Sequence, residues 1–222
     1  MIGLLALGHS PRPDLLAPFQ VALPGVRLTL QGAMDGLSRS EAEKIAESEG
    51  NCPLYVHTKD GPLIVQQAWL LDRIEQKCRM LAEQGAELIV LLCSNDFPPI
   101  ASPVPLLLPG VRLEIAVRSA ASSGGRLGVI VPDESRLTAA ENRWRSAGFE
   151  PMLMVAQPSS DRERLQEISR HFRESKVEQV ALDCISFSVN MQRHLANGLN
   201  VPIWLPLQLA VQAVVNWAGF RG

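Results

Sequence analysis

Leu88-Ile89-Val90-Leu91-Leu92-Cys93-Ser94-Asn95-Asp96 joins an unbroken apolar run to a cysteine and three small polar residues. A run of this length with turn-formers behind it reads as a strand buried on both faces. Cys93 then falls at the strand's C-terminal end, where open α/β sheets bind their ligands. The competing reading is a small core hydrophobe, because free cysteine is among the most buried residue types.

The sequence on either side of this run alternates strand and helix patterns. Residues 2–7, 27–30, 54–57, 126–131, 149–155, 179–184 and 201–205 read as further strands. Residues 37–47, 66–84, 112–121, 134–147, 161–175, 188–197 and 206–219 read as helices. Apolar residues at Trp69, Leu70, Ile74, Cys78 and Leu81 recur at helical spacing, and Gly85 closes that helix. Asp161 is the expected N-cap of its helix. The first strand leads into a Pro-rich loop from Gly8 to Asp14, and Lys59-Asp60-Gly61-Pro62 reads as a turn. Residues 97–110 carry five prolines and read as a rigid loop or crossover, and Ser122-Ser123-Gly124-Gly125 has linker composition. This order predicts an α/β fold with parallel sheets flanked by helices.

The chain also reads as two similar halves. Gly3 opens one strand and Gly128 another, and each half runs on to a strand ending in cysteine. Glu87 and Leu91 precede Cys93 by six and two residues, as Glu178 and Leu182 precede Cys184. The expected architecture is two pseudo-symmetric lobes with a cleft between them. Residues 1–100 plus 205–222 form the first lobe, 112–204 the second, and 101–111 a Pro-rich crossover.

Composition narrows the function classes. The chain has 222 residues, 46% of them apolar, so it is globular. Twenty-one Lys and Arg against 23 Asp and Glu leave no electrostatic footprint for nucleic acid or an anionic membrane. No run reaches the roughly 18 apolar residues of a membrane span. Residues 1–10 lack the basic n-region of a signal peptide. The four cysteines, Cys52, Cys78, Cys93 and Cys184, show neither CxxC nor zinc-ligand spacing, and a reduced, cytoplasmic setting is the simplest reading. Homo-oligomerisation is left open.

Two strand-end cysteines on opposite walls of a cleft suit the inversion of a carbon centre. One thiolate removes a proton from one face and the opposite thiol delivers one to the other. The candidate acid–base pair is therefore Cys93 and Cys184. Ser94 and Asn95 after the first, and Ser186 after the second, supply hydroxyls and N–H groups for a small carboxylate and the enolate-like charge. Ser10 and Arg12 follow the first strand, and Arg12 suits forked binding of a carboxylate. His57 and Thr58 end another strand. The scheme requires no cofactor and no metal. Cys78 reads as core, His9 as a surface histidine, and Asp35 as a cap for the helix beginning near Ser38 ahead of a group orienting a substrate amine.

Several stretches also carry a family likeness. Gly8-His9-Ser10-Pro11-Arg12, Gly32-Ala33-Met34-Asp35-Gly36-Leu37-Ser38, Asp60-Gly61, Leu91-Leu92-Cys93, Gly128-Val129-Ile130-Val131-Pro132, Leu182-Asp183-Cys184 and Asn200-Val201-Pro202-Ile203 resemble, in order and over nearly the whole chain, the AroM family. That family is similar to the aspartate/glutamate racemase superfamily. The resemblance implies two α/β lobes, a ligand cleft between them and, as in the full racemases, one cysteine per lobe. Racemases of the superfamily follow the first cysteine with Asn-Thr and the second with Thr-His. Here Ser94-Asn95 and Ile185-Ser186-Phe187 stand in those places. The leading expectation is a cofactor-independent racemase or isomerase of a small carboxylate. The alternatives are a single-cysteine decarboxylase or isomerase, and a non-catalytic carboxylate-binding or regulatory protein.

Overall fold

Two four-stranded parallel sheets organise the molecule. The computed structural model describes residues 1–46, 50, 52–120 and 125–219. Glu47 and residues 121–124, on which parts of two expected helices and of the linker fall, lie outside the described residues.

The first sheet has the order β2 (Leu28–Gly32), β1 (Ile2–Ala6), β5 (Leu88–Leu92), β6 (Leu106–Leu107). Its two central strands are buried at every position, as strands covered on both faces must be, while the edge strand β2 is half-exposed. The second sheet has the order β10 (Ile203–Trp204), β9 (Gln179–Leu182), β7 (Arg126–Val131), β8 (Glu150–Val155). Read from the other edge, this is the topology of the first sheet: second, first, third and fourth strand of the half.

The correspondence extends to register. Gly3 of β1 pairs with Ile89, four residues before Cys93, and Gly128 of β7 pairs with Val180, four residues before Cys184. Both glycines make room for the helix that precedes the cysteine strand. A Cβ on Gly3 would lie 3.2 Å from Leu81 of α3 (Gln67–Glu83), and one on Gly128 would lie 3.0 Å from the Phe172 ring of α6 (Arg162–Glu174). The short fourth strands also match. Pro105-Leu106-Leu107-Leu108-Pro109 and Pro202-Ile203-Trp204-Leu205-Pro206 share Pro-x-x-Leu-Pro. In each, the first proline's carbonyl accepts the N–H of a cysteine-strand residue, Ile89 at 3.0 Å and Val180 at 2.8 Å. The second proline opens a helix, α4 (Pro109–Ala120) or α8 (Pro206–Gly219), where a missing N–H costs nothing.

Three segments differ from the sequence reading. The loop expected after the first strand ends in a helix, α1 (Pro13–Ala22). Pro13 suits its first turn, and Leu15 and Phe19 are buried one turn apart. The strand expected at 54–57 is half of an antiparallel hairpin, β3 (Pro53–Thr58) and β4 (Gly61–Gln66). Gly61 takes φ 123°, which an L residue rarely adopts, so the chain can reverse there. The segment read as a crossover loop at 97–110 contains β6 and the start of α4. The remaining helices are α2 (Arg39–Ala46), α5 (Leu137–Ser146) and α7 (Val189–Ala196). Asp161 caps α6 as expected, its carboxylate accepting the Arg164 N–H at 2.9 Å.

The chain divides into two compact units, Met1–Pro109 with Ala210–Gly222, and Gly110–Leu209. Core side chains of the first include Leu5, Ile74, Cys78 and Leu91, all without exposed surface. The second is built around Leu127, Val129, Trp144 and Ala181.

Candidate functional site

In the first unit, β2, β1 and β5 end side by side, with Ala6 paired to both Gly32 and Leu92. Three loops leave this C-terminal edge: Leu7 to Arg12, Ala33 to Ser38, and Cys93 onward. Cys93 is the first residue past β5 and is 8% exposed. Its N–H reaches back to the Leu91 carbonyl at 2.7 Å, and the Asn95 N–H donates to its Sγ at 3.4 Å. Ser94 and Asn95 are also buried.

Asp35 ties the first two loops together. One carboxylate oxygen accepts the Ser10 N–H at 2.7 Å. The other accepts the Ser10 hydroxyl at 2.8 Å and the Gly32 N–H at 2.7 Å. Burial pushes the Asp35 carboxyl upward, but the Ser10 and Gly32 N–H groups and the Ser10 hydroxyl outweigh it, and Lys77 adds to them. The net shift is downward. Asp35 is thus not the helix cap the sequence suggested. Ser38 takes that role in a capping box, its N–H and hydroxyl both bound to Glu41 at 2.7 and 2.6 Å. Arg73 of α3 holds the same loop through the Ala33 and Asp35 carbonyls at 2.7 and 3.1 Å.

His9, read as a surface histidine, is buried. The Leu37 carbonyl can only accept, so its contact at 3.3 Å with His9 Nε2 places the ring hydrogen there. The His9 N–H donates to the His57 carbonyl at 3.2 Å and joins the β3–β4 hairpin to the sheet edge. A Cβ on Gly8 would collide with that carbonyl. Burial pushes the His57 imidazole downward, and the Arg12 guanidinium adds to the shift. Arg12 forks onto Asp14 through Nε at 2.8 Å and Nη2 at 2.6 Å, so a carboxylate already occupies that edge of its guanidinium. Thr58 serves the hairpin turn: its hydroxyl donates to the Gly61 carbonyl at 2.7 Å and accepts the Asp60 N–H at 3.2 Å.

The second unit repeats the arrangement around Cys184. It lies two residues past β9, is 6% exposed, and its N–H reaches the Leu182 carbonyl at 2.8 Å. Asp183, beside it, is almost fully buried and lies against α5. Its carboxylate accepts from Arg143 Nη1 at 3.2 Å and from the Trp144 indole at 3.1 Å. Arg143 Nη2 donates to the Gly110 carbonyl at 2.7 Å. The strand-end carboxylate is therefore paired rather than stranded, as burial of a charge requires. Ser186 belongs to the turn closed by the Phe187 N–H on the Cys184 carbonyl at 3.2 Å. Arg136, just beyond β7, is buried as well and carried no signal in the sequence.

The structure thus gathers Ser10 and Cys93 to Asn95 at the C-terminal edge of one sheet, with Arg12 in the loop entering α1 and Thr58 in the adjoining hairpin. Cys184 and Ser186 lie at the same edge of the other sheet. No disulfide joins the four cysteines. Cys78, expected in the core, is fully buried, and burial pushes its thiol up to about 11. Among the described residues no helix is long and apolar enough to cross a membrane, and no three His, Cys, Asp or Glu side chains cluster as metal ligands.

A family model described as AroM protein matches residues 2–217. Comparison with curated proteins gives no match at the sequence level. Solved structures share the fold at low identity. A liganded variant of arylmalonate decarboxylase, exchanging one glycine for cysteine and one cysteine for serine, has a TM-score of 0.65 at 15% identity, over 98% of this chain and 92% of that one. Glutamate racemase from Francisella tularensis subsp. tularensis SCHU S4 in complex with D-glutamate has a TM-score of 0.62 at 13% identity, over 99% and 81%. Allantoin racemase from Klebsiella pneumoniae has a TM-score of 0.60 at 14% identity, over 99% and 89%.

Proposed function

The chain belongs to the AroM family, and from that premise we propose that it is a cofactor-independent racemase or isomerase of a small carboxylate, with Cys93 and Cys184 as paired acid and base. The observation that carries this reading is the equivalence of the two cysteines, each just past the third strand of its sheet and four residues after the partner of a central glycine. On this reading the environment is reduced and cytoplasmic and keeps both thiols available.

The proton on carbon beside a carboxylate is weakly acidic, so the reaction needs two things. One is a base within reach of that proton, and Cys93, whose Sγ accepts the Asn95 N–H, is the candidate. The other is a set of donors for the charge that develops on the carboxylate as the proton leaves. Ser94, Asn95 and Ser186 supply them from the two turns, and Ser10, fixed by Asp35, supports the first. Arg12 then acts as a fixed positive charge near the ligand, and Thr58 shapes the rim. One thiolate takes the proton and the opposite thiol returns one to the other face.

The test is proton exchange in D2O, followed by 1H NMR, on a panel of D- and L-glutamate, D- and L-aspartate, allantoin and phenylmalonate. The wild type is expected to exchange the hydrogen of at least one member, and Cys93→Ala and Cys184→Ala each to lose about 10²–10⁴-fold. Undiminished exchange in both variants rejects the mechanism. The likeness to arylmalonate decarboxylase favours one second reading, a single-thiol reaction. Under it only one of the two variants loses exchange. If no panel member exchanges and both thiols are inert to iodoacetamide near neutral pH, the enzymatic reading gives way to a non-catalytic binding protein.

A further inference from the structure

We infer that Asp183 and Arg143 are positioning residues of Cys184, fixing both the main chain beside the sulfur and the charge that its thiolate meets; this rests on the reading of Cys184 as an acid–base group. Three observations converge. The pair is buried, with side chains 2% and 8% exposed and 3.2 Å apart. It is cross-braced, since the Trp144 indole donates to the same carboxylate and the second Arg143 nitrogen donates to the Gly110 carbonyl. It occurs in one half only, because the residue before Cys93 is the apolar, buried Leu92.

A buried carboxylate one residue from a thiol opposes its ionisation unless a cation cancels it. Arg143 is that cation. The guanidinium lies over the Trp144 ring at 5.0 Å, which fixes the place of its charge. The charged side chains shown to meet at this strand end are Asp183 itself and Arg143 from α5. The main-chain bond from the Asp183 N–H to the Ile130 carbonyl at 2.8 Å holds the cysteine to the central strand.

The experiment measures the pH titration of Cys184 in protein labelled with 13Cβ-cysteine, its signal assigned with Cys184→Ser. Adjacent residues sit close enough for one uncancelled charge to shift a midpoint by about one pH unit. Arg143→Gln is expected to move the Cys184 midpoint up and Asp183→Asn to move it down. Arg143→Lys, which keeps the charge, is expected to stay near wild type. A merely structural brace would weaken the fold in all three without opposite shifts, and midpoints unmoved, or moved in one direction, overturn the inference. Urea unfolding of each variant confirms that a folded species is titrated, and Trp144→Phe, which removes one bond and no charge, is expected to leave the midpoint within a few tenths of a unit. The readout needs no substrate. An inert exchange panel beside opposite shifts would reject the racemase reading and leave the charge relation standing.

Discussion

Cys78 has no exposed surface, and burial holds its thiol at about 11. At pH 8 its thiolate fraction is about 10⁻³, so iodoacetamide is expected to leave Cys78 unmodified in native protein and to label it after denaturation, as read by peptide mass spectrometry. Labelling of native Cys78 at the rate of Cys52, which is partly exposed, would contradict its placement. Asp35 allows a pH test. Its carboxyl is lowered in the folded chain, so the stability it contributes is present above the unfolded value near 3.8 and is lost as pH falls through the folded value. Asp35→Asn is expected to cost about 2 kcal/mol in urea unfolding at pH 7, and the gap to wild type to narrow below about pH 4. His57 runs the other way in charge. Burial favours its neutral form, so stability declines as pH drops below about 6.5, where the unfolded chain takes up the proton first. His57→Gln is expected to flatten that decline between pH 7.5 and 5.5. Of these side chains only Cys78 was legible in the sequence, from its helical spacing. Asp35 is 25 residues from Ser10, and Arg143 is 40 from Asp183, so nothing local marks either contact.

At the scale of elements, the buried central strands were legible because they are short apolar runs bounded by turn residues. Asp161 and the Gly85 helix end were legible because capping is local chemistry. Helix α1 was not, because its prolines read as breakers, and β4 was not, because its strand residues run straight into the helical pattern of α3. The Pro-x-x-Leu-Pro repeat was present but meant nothing until both copies were seen to pair with a cysteine strand. Glycine positions make the sharpest element-level prediction. Gly128→Ala would put a methyl 3.0 Å from the Phe172 ring between β7 and α6. The expected cost is about 1–3 kcal/mol by urea unfolding, recovered in part by adding Phe172→Leu. A neutral Gly128→Ala would show that the strand and helix yield there.

The whole molecule repeats one sheet topology and one register; the fold class was readable from alternation and the two halves from their matching glycines and cysteine strands, while the shared register needed the structure. Helix α8 spans the two units: residues 206–209 belong with the second and residues from Ala210 with the first. Ala210 and Val214 have no exposed surface. Val214→Asp places an unpaired charge in a buried position and is expected to cost at least about 3 kcal/mol. Hydrogen exchange should show β1 and β5 losing protection before β7 and β9. Equal loss in both sheets would mean that the units unfold only together.

The fourth strand of each half is followed by a helix counted mainly or wholly with the other half, α4 with the second unit and most of α8 with the first. Such an exchange of closing pieces makes the halves poor spare parts. A gene fragment ending at Pro109 would encode a sheet deprived of the segment that seals it, and engineers seeking a portable half-protein would have to graft residues 210–219 back by a new linker.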